Sequence, residues 1–291
     1  MLIGHQKQWE FLKKSAEANR ISQAYLFVGQ EKLGKRKVAL DLVSWLFNQD
    51  VQNSQHPDLV LISPENKEIQ INQIRELIWK LSLKPYSAPF KVAIIDEAHS
   101  MNQEAQTALL KTLEDPKGKA ILILISSKSQ YLFPTILSRV QIIKFFPVKK
   151  EEIKNYLKKE KKTEREAEEI SKFSLGRPGV AIDFVSFPQK FEKFQKKIKE
   201  LNEISKSDLI IRFQYAKVLS QDPQDLRETL SIWLNYFRNL LLFNINRPEE
   251  VGRDNLVKLS NLIRNIQNIS FLISTTNVNP RLALENLMLE I

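Results

Sequence analysis

Short apolar runs and longer amphipathic stretches alternate through the first half of the chain. The runs occupy 24–28, 59–62, 91–95, 120–125 and 141–145. They are rich in β-formers and nearly continuous in apolar character, the pattern of strands buried on both faces of a parallel sheet. Stretches with helical spacing at 6–18, 35–47, 71–83 and 103–114 fill the gaps. Strand and helix in alternation predict an α/β domain with a parallel sheet.

After Pro147 the strand pattern stops and the chain reads as helix almost throughout. Helices are expected at 149–162 and 164–173, a turn at Gly176-Arg177-Pro178-Gly179, and a helical piece at 180–185. A further helical set starts near Leu209. Its clearest member, 226–241, places Leu226, Leu230, Trp233, Leu234, Phe237, Leu240 and Leu241 on one stripe. That stripe is either a bundle core or a face for partner helices. The predicted fold class is therefore α/β followed by all-α, without internal repeats or a low-complexity linker.

A length of 291 residues suggests two domains, or three small ones. With 43% hydrophobic and 27% charged residues, wholesale disorder is excluded. The apolar runs are too short to cross a bilayer, and the N-terminus turns polar too soon for a signal peptide. There is no cysteine, which rules out disulfides, thiolate zinc sites and cysteine nucleophiles. Three histidines make a multi-histidine metal site a poor expectation. The expected location is the cytoplasm, with no membrane contact. A net charge of +10 points to a polyanionic partner, nucleic acid first, or to a lysine-rich solvated surface. Much of the lysine lies in mixed-sign runs that read as exposed helix faces. A cleaner basic stretch combines Lys190, Lys193, Lys196, Lys197 and Lys199 with Phe191 and Phe194.

The candidate chemistry begins at Gly29-Gln30-Glu31-Lys32-Leu33-Gly34-Lys35-Arg36, between a predicted strand and a predicted helix. That is the context of a phosphate-binding P-loop, in which backbone N–H groups cradle phosphates and Lys35 reaches the terminal ones. The full motif ends in Ser or Thr, whose hydroxyl binds Mg²⁺. Arg36 stands in that place, and a guanidinium has no acceptor atom. The motif is therefore strong for fold and weak for hydrolysis. Downstream, the strand at 91–95 ends in Asp96 and Glu97. In a P-loop ATPase the first acid would hold Mg²⁺ and the second would polarise the attacking water; otherwise the two simply cap a strand end. Ser126-Ser127 after the fourth strand either senses a γ-phosphate or begins a loop. Ser138-Arg139 precedes the last strand, and an arginine there is a surface charge or a finger offered to a neighbour's γ-phosphate.

Several strings, in order and over nearly the whole chain, resemble the delta-prime subunit family of the bacterial DNA polymerase III clamp loader, within the AAA+ superfamily. Ala24-Tyr25-Leu26-Phe27-Val28-Gly29 resembles the family's strand into its P-loop, and His56-Pro57-Asp58 its entry to the next strand. Gln73-Ile74-Arg75-Glu76-Leu77 and the segment 91–101 are similar to its Walker B block. Leu109-Leu110-Lys111-Thr112-Leu113-Glu114-Asp115-Pro116 is similar to its "LLKTLEEP" string. Ser138-Arg139 matches its Ser-Arg-Cys motif, and Asn279-Pro280-Arg281-Leu282-Ala283-Leu284-Glu285 its C-terminal signature.

The resemblance implies three domains: a RecA-like AAA+ domain at 1–147, a helical lid at 148–205 and a helical collar at 206–291. It implies a hetero-pentamer with delta and gamma/tau subunits that loads a sliding clamp onto primer–template DNA. Polymerase activity would belong to the holoenzyme. This chain would be a stator whose Arg139, next to Ser138, completes a neighbour's ATP site in trans. Its own degenerate site, built from Gly29, Gly34, Lys35, Asp96, Glu97 and Ser126, would hold ATP or ADP without hydrolysis, or nothing. Three departures stand out. Val140 replaces the motif's cysteine. The segment 48–55 is short and has no cysteine, so the family's common zinc module is not expected. Gly179 stands where related motor subunits carry a sensor arginine, with Arg177 nearby but out of register.

Three other readings are open. An active motor-type AAA+ ATPase is favoured by Lys35, Asp96, Glu97 and Ser126 and opposed by Arg36 and Gly179. A DEAH-type helicase would use Asp96-Glu97-Ala98-His99, but it requires Lys-Ser or Lys-Thr in the P-loop and strands for a second domain. A non-catalytic DNA-binding protein would account for the charge alone.

Overall fold

The structure, a computed structural model, describes residues 2–51, 56–115, 119–160, 162–245, 253–276 and 278–291. Part of the segment without an expected zinc module, 52–55, and Pro116 of the Leu109 string lie outside the described residues. The chain divides into two compact units, Met1–Ile182 and Asp183–Ile291.

The first unit alternates as its hydrophobic pattern predicts: α1 (Gln6–Glu17), β1 (Ala24–Val28), α2 (Lys35–Phe47), β2 (Leu59–Ile62), α3 (Ile71–Ser82), β3 (Lys91–Ile95), α4 (Gln103–Glu114), β4 (Ala120–Ser126), α5 (Pro134–Leu137) and β5 (Gln141–Lys144). The five strands form one sheet in the order β2-β3-β4-β1-β5, every pair parallel. Alternate residues of a strand enter opposite cores. Leu26, Ala93, Ile95, Leu122 and Leu124 pack towards α3 and α4. Tyr25, Phe27, Val92, Ile94, Ile121 and Ile123 pack towards α1 and α2. That two-sided burial explains the continuous apolar runs of β1, β3 and β4. The edge strands depart from it: Ile142 in β5 is 45% exposed, because an edge strand has a neighbour on one side only.

Two local devices fix this unit. Asn102 starts α4 by accepting from the Ala105 N–H at 2.8 Å. Fully buried Asp58, at the entry to β2, accepts from the backbone N–H of Tyr86 (2.7 Å), Ser87 (2.9 Å) and Ala88 (3.0 Å) and lies 3.4 Å from the Lys91 ammonium. Burial pushes its carboxyl pKa up. The N–H donors of Ser87, Ala88 and Tyr86, with Lys91, outweigh this and bring it down to about 2. The His56-Pro57-Asp58 string thus pins the loop that leads into β3.

Beyond the sheet come α6 (Lys150–Lys159), α7 (Glu164–Ser174) and α8 (Pro178–Ser186), within which the division between the units falls. The mixed-sign run folds into cross-helix ion pairs. Lys154 contacts Glu164 and Glu168 at 2.8 and 2.7 Å, Lys158 contacts Glu164 at 2.6 Å, and Lys150 pairs with Glu168. The second unit holds α9 (Pro188–Ile204), α10 (Leu209–Leu219), α11 (Pro223–Ile245), α12 (Arg253–Thr275) and α13 (Pro280–Glu290). The α11 stripe is largely core: Leu226, Leu230, Trp233 and Phe237 are buried, and Trp233 stacks on Tyr215 with 6.1 Å between ring centroids. The basic stretch lies on α9, and two of its lysines are paired with acids of α11. Lys197, only 8% exposed, sits 2.7 Å from Asp225, and Lys193 sits 2.7 Å from Glu228. Lys190 lies over the Phe187 ring at 4.8 Å.

Candidate functional site

The loop after β1 has the backbone of a phosphate cradle. The Gly29 N–H donates to the Ser126 carbonyl at 3.2 Å, tying the loop to the end of β4. Gly34 precedes α2 with φ 95°, a left-handed conformation that a side chain would strain. Lys35 is 6% exposed, and its ammonium donates to the carbonyls of Gly29 and Gln30, both at 2.5 Å. Burial lowers its pKa to about 8, while Asp96 and Glu31 act in the opposite sense. The first turn of α2 carries Lys35, Arg36 and Lys37 and no acid. Cations there oppose the helix dipole, which favours anions at that end.

Strand order brings the acids to this loop. β3 lies one strand from β1, and both open at the same edge of the sheet. Asp96 follows β3, and its Oδ2 lies 3.3 Å from Arg36 Nη1. Its Oδ1 accepts from the Glu97 N–H at 3.0 Å. Glu97 is exposed, with φ 48°. His99 Nδ1 is buried with no hydrogen-bond partner among the described residues. Burial and the Lys128 charge lower the His99 pKa. A cavity of about 380 Å³ is lined by Lys35, Arg36, Asp96, Glu97, His99 and Ser127, among others.

Gly29, Gly34, Lys35, Arg36, Asp96 and Glu97 therefore converge. Ser126 lies beside them but is buried in β4, where its hydroxyl accepts from the Lys128 N–H at 3.1 Å. Ser127 is the serine on the cavity, with its hydroxyl 3.4 Å from Glu31. Gly179 also lines it. Its N–H donates to the Lys32 carbonyl at 2.8 Å, and a Cβ there would meet that oxygen at 2.9 Å. The position is thus a close approach of two backbones, with no room for a side chain. Glu31, inside the loop motif, and His99, expected only in the helicase reading, also line the cavity. The donor set fits the phosphates of a nucleotide. It does not fit Mg²⁺, which needs oxygen ligands at the position that Arg36 fills.

Ser138 and Arg139 stand elsewhere. Arg139 follows α5, its Nη1 donates to the Thr135 carbonyl at 2.8 Å, and its Nη2 lies 2.7 Å from Glu114 Oε1. The Ser138 hydroxyl lies 3.3 Å from the same guanidinium. β5 pairs parallel with β1, Gln141 opposite Tyr25. Arg139 therefore sits at the edge where the strands begin, while the phosphate loop leaves the edge where they end. At the usual strand rise the separation is about 16 Å. On Arg139's edge, a groove of about 370 Å³ between α3 and α4 is lined by Arg75, Trp79, Lys111 and Asp115, next in sequence to Glu114.

A parallel sheet with the P-loop strand between β4 and β5, and an acidic strand end facing the loop, defines a P-loop fold of the AAA+ class. The family described as "DNA polymerase III, delta subunit" matches residues 4–149, half of the chain, and the chain belongs to that family. DNA polymerase III subunit delta' of Bacillus subtilis is 32% identical over 162 residues, which cover 51% of this chain and 49% of that protein. The delta' subunit of Pseudomonas aeruginosa is 33% identical over 135 residues, 40% of this chain and 41% of its own length. The chain spans about half the length of the curated relatives it matches. Among solved structures, a DNA polymerase III gamma subunit-related protein from Thermotoga maritima superposes with a TM-score of 0.58 at 21% identity, covering 97% of each chain. A Thermotoga maritima RuvB variant gives 0.51 at 19% identity, covering 96% of this chain and 87% of its own. At these identities the two structures establish the fold alone.

Proposed function

We propose that this chain is the non-hydrolysing, delta-prime-type subunit of a clamp loader, a stator that offers Arg139 in trans to the ATP site of an adjacent motor subunit. The observation that carries this reading is the placement of Arg139. It stands at the edge of the sheet opposite the chain's own phosphate loop, so a γ-phosphate within its reach must belong to another molecule. The rest of the site agrees. Arg36 removes a magnesium ligand and pairs with Asp96, and Gly179 leaves no sensor arginine. Any nucleotide held by Gly29, Gly34 and Lys35 would be retained without hydrolysis.

The same proposal assigns the partners. Delta and gamma/tau subunits would complete a hetero-pentamer, with 148–205 as lid and 206–291 as collar. The assembly would place a sliding clamp on primer–template DNA in the cytoplasm, gripping phosphates without reading sequence. None of the described helices is long and apolar enough to cross a membrane.

The test is the DNA- and clamp-stimulated ATPase of a reconstituted loader, with the isolated chain as control. An inactive isolated chain, with Arg139→Ala slowing the intact complex at least about tenfold, supports the stator reading. If the isolated chain hydrolyses ATP, Lys35→Ala abolishes this, and Arg139→Ala leaves the complex unaffected, the motor-ATPase reading takes its place.

A further inference from the structure

We propose that the Arg36 guanidinium takes the place of the magnesium ion at this chain's phosphate loop, so that the loop seats a nucleoside di- or triphosphate without any divalent cation. This rests on the reading above that Gly29, Gly34 and Lys35 take nucleotide phosphates.

In a hydrolysing P-loop, a cation is held between the hydroxyl after the loop lysine, the acid that ends the third strand, and the phosphates. Here the residue after the lysine is itself a cation, and it reaches that same acid: Arg36 Nη1 to Asp96 Oδ2 is 3.3 Å. Only one of the five guanidinium N–H groups is used on Asp96 at that distance, and the side chain remains 56% exposed, on the cavity. A planar fork of donors suits phosphate oxygens bidentately.

Charge in the first turn of α2 points the same way. Lys35, Arg36 and Lys37 follow one another without an acid, at the helix end where cations are disfavoured. Lys37 is drawn off to Asp41 at 3.0 Å, and the other two line the cavity. A polyphosphate would complement both of them and the helix N-terminus at once. Magnesium would not. It demands near-octahedral oxygen coordination, Arg36 supplies no oxygen, and its positive charge already occupies the approach to Asp96. The carboxylate then acts as a competitor for the guanidinium, in place of its usual role as a metal ligand.

That exchange of roles predicts opposite signs for one substitution. Calorimetric titration of the full chain with ADP and with ATP, each in Mg²⁺ and in EDTA, reads it directly. For the wild type the dissociation constants in the two buffers are expected to agree, a ratio of about one. Arg36→Thr restores the hydroxyl and is expected to bind at least about tenfold more tightly with Mg²⁺ than without. Asp96→Asn frees the guanidinium and is expected to tighten binding severalfold in both buffers, whereas loss of a metal ligand would weaken binding in Mg²⁺ and leave binding in EDTA unchanged. Wild-type binding that appears only with Mg²⁺, or Asp96→Asn that weakens it, overturns the substitution of arginine for metal while leaving nucleotide occupancy intact. No binding of either nucleotide in either buffer overturns occupancy itself, and the inference with it.

Discussion

The Arg139 guanidinium is held in place by Glu114, whose carboxylate lies 2.7 Å from Nη2 at the end of α4. The Thr135 carbonyl, at 2.8 Å from Nη1, fixes the plane of the group from a second side. Both side chains of the ion pair are partly exposed, 34% and 54%, and such pairs contribute only about 0–1 kcal/mol. Glu114 therefore orients the arginine, and breaking the pair costs little while both groups face water. The pairing joins two motifs that lie apart in sequence, the Leu109 string and Ser138-Arg139.

Loss of Arg139 and loss of Glu114 should accordingly differ in size. Fingers supplied in trans are worth about 10³ to 10⁵ in rate in other P-loop systems. In a reconstituted loader, Arg139→Ala is expected to remove most of the stimulated ATPase. Glu114→Gln should alter the rate by less than about threefold. Equal losses from the two substitutions would show that the carboxylate belongs to the working geometry.

Asp58 carries a stability prediction. Asp58→Asn leaves Lys91 buried without its counter-charge, at a cost of about 3 kcal/mol measurable by denaturant melts. The folded carboxyl pKa, about 2, lies below the ordinary value of 3.8. Its contribution is therefore complete above pH 4 and lost as pH falls through 2. That segment amounts to roughly 2 kcal/mol. The Asn variant should lack it, and a wild-type acid profile identical to the variant's would refute the assignment.

Lys35 titrates in the other direction. Its pKa falls from 10.5 to about 8 on burial, so between those values the unfolded chain binds the extra proton. Stability should rise with pH across that window, and Lys35→Met should abolish the rise. Heteronuclear NMR of the lysine side-chain nitrogen measures the same shift directly. A bound polyphosphate should move the midpoint back up.

Gly179 is expected to tolerate no side chain. Gly179→Ala puts a Cβ 2.9 Å from the Lys32 carbonyl, a backbone atom that cannot swing aside. Overpacking of this kind costs about 1–3 kcal/mol. A thermal melt within a degree of wild type, with unchanged amide shifts in the Glu31 to Arg36 loop, would argue against the close approach.

Much of the first unit was legible from local pattern. Strands β1, β2 and β3 and helices α2 and α4 begin and end where the apolar runs and helical spacing place them, because burial of a strand or of one helix face writes itself into nearby residues. The limits of β4, β5 and α6 differ from expectation by one to three residues, since the last residues of an element carry little of its period. The Gly29 to Lys35 loop was equally readable, since its turn and its lysine are close neighbours in the chain.

By itself, then, the sequence determined the α/β-then-α order, the glycine-and-lysine loop between β1 and α2, and the arginine that follows its lysine. Only the tertiary structure decided what that arginine does. Arg36 meets Asp96 sixty residues away because β4 is inserted between β1 and β3, and no local periodicity encodes strand order. The same holds for Arg139 beside Glu114, for Gly179 against Lys32, and for Lys193 and Lys197 of the basic stretch, which pair with Glu228 and Asp225. Hydrophobic period depends on neighbours along the chain, whereas charge pairing and close approach depend on neighbours in space.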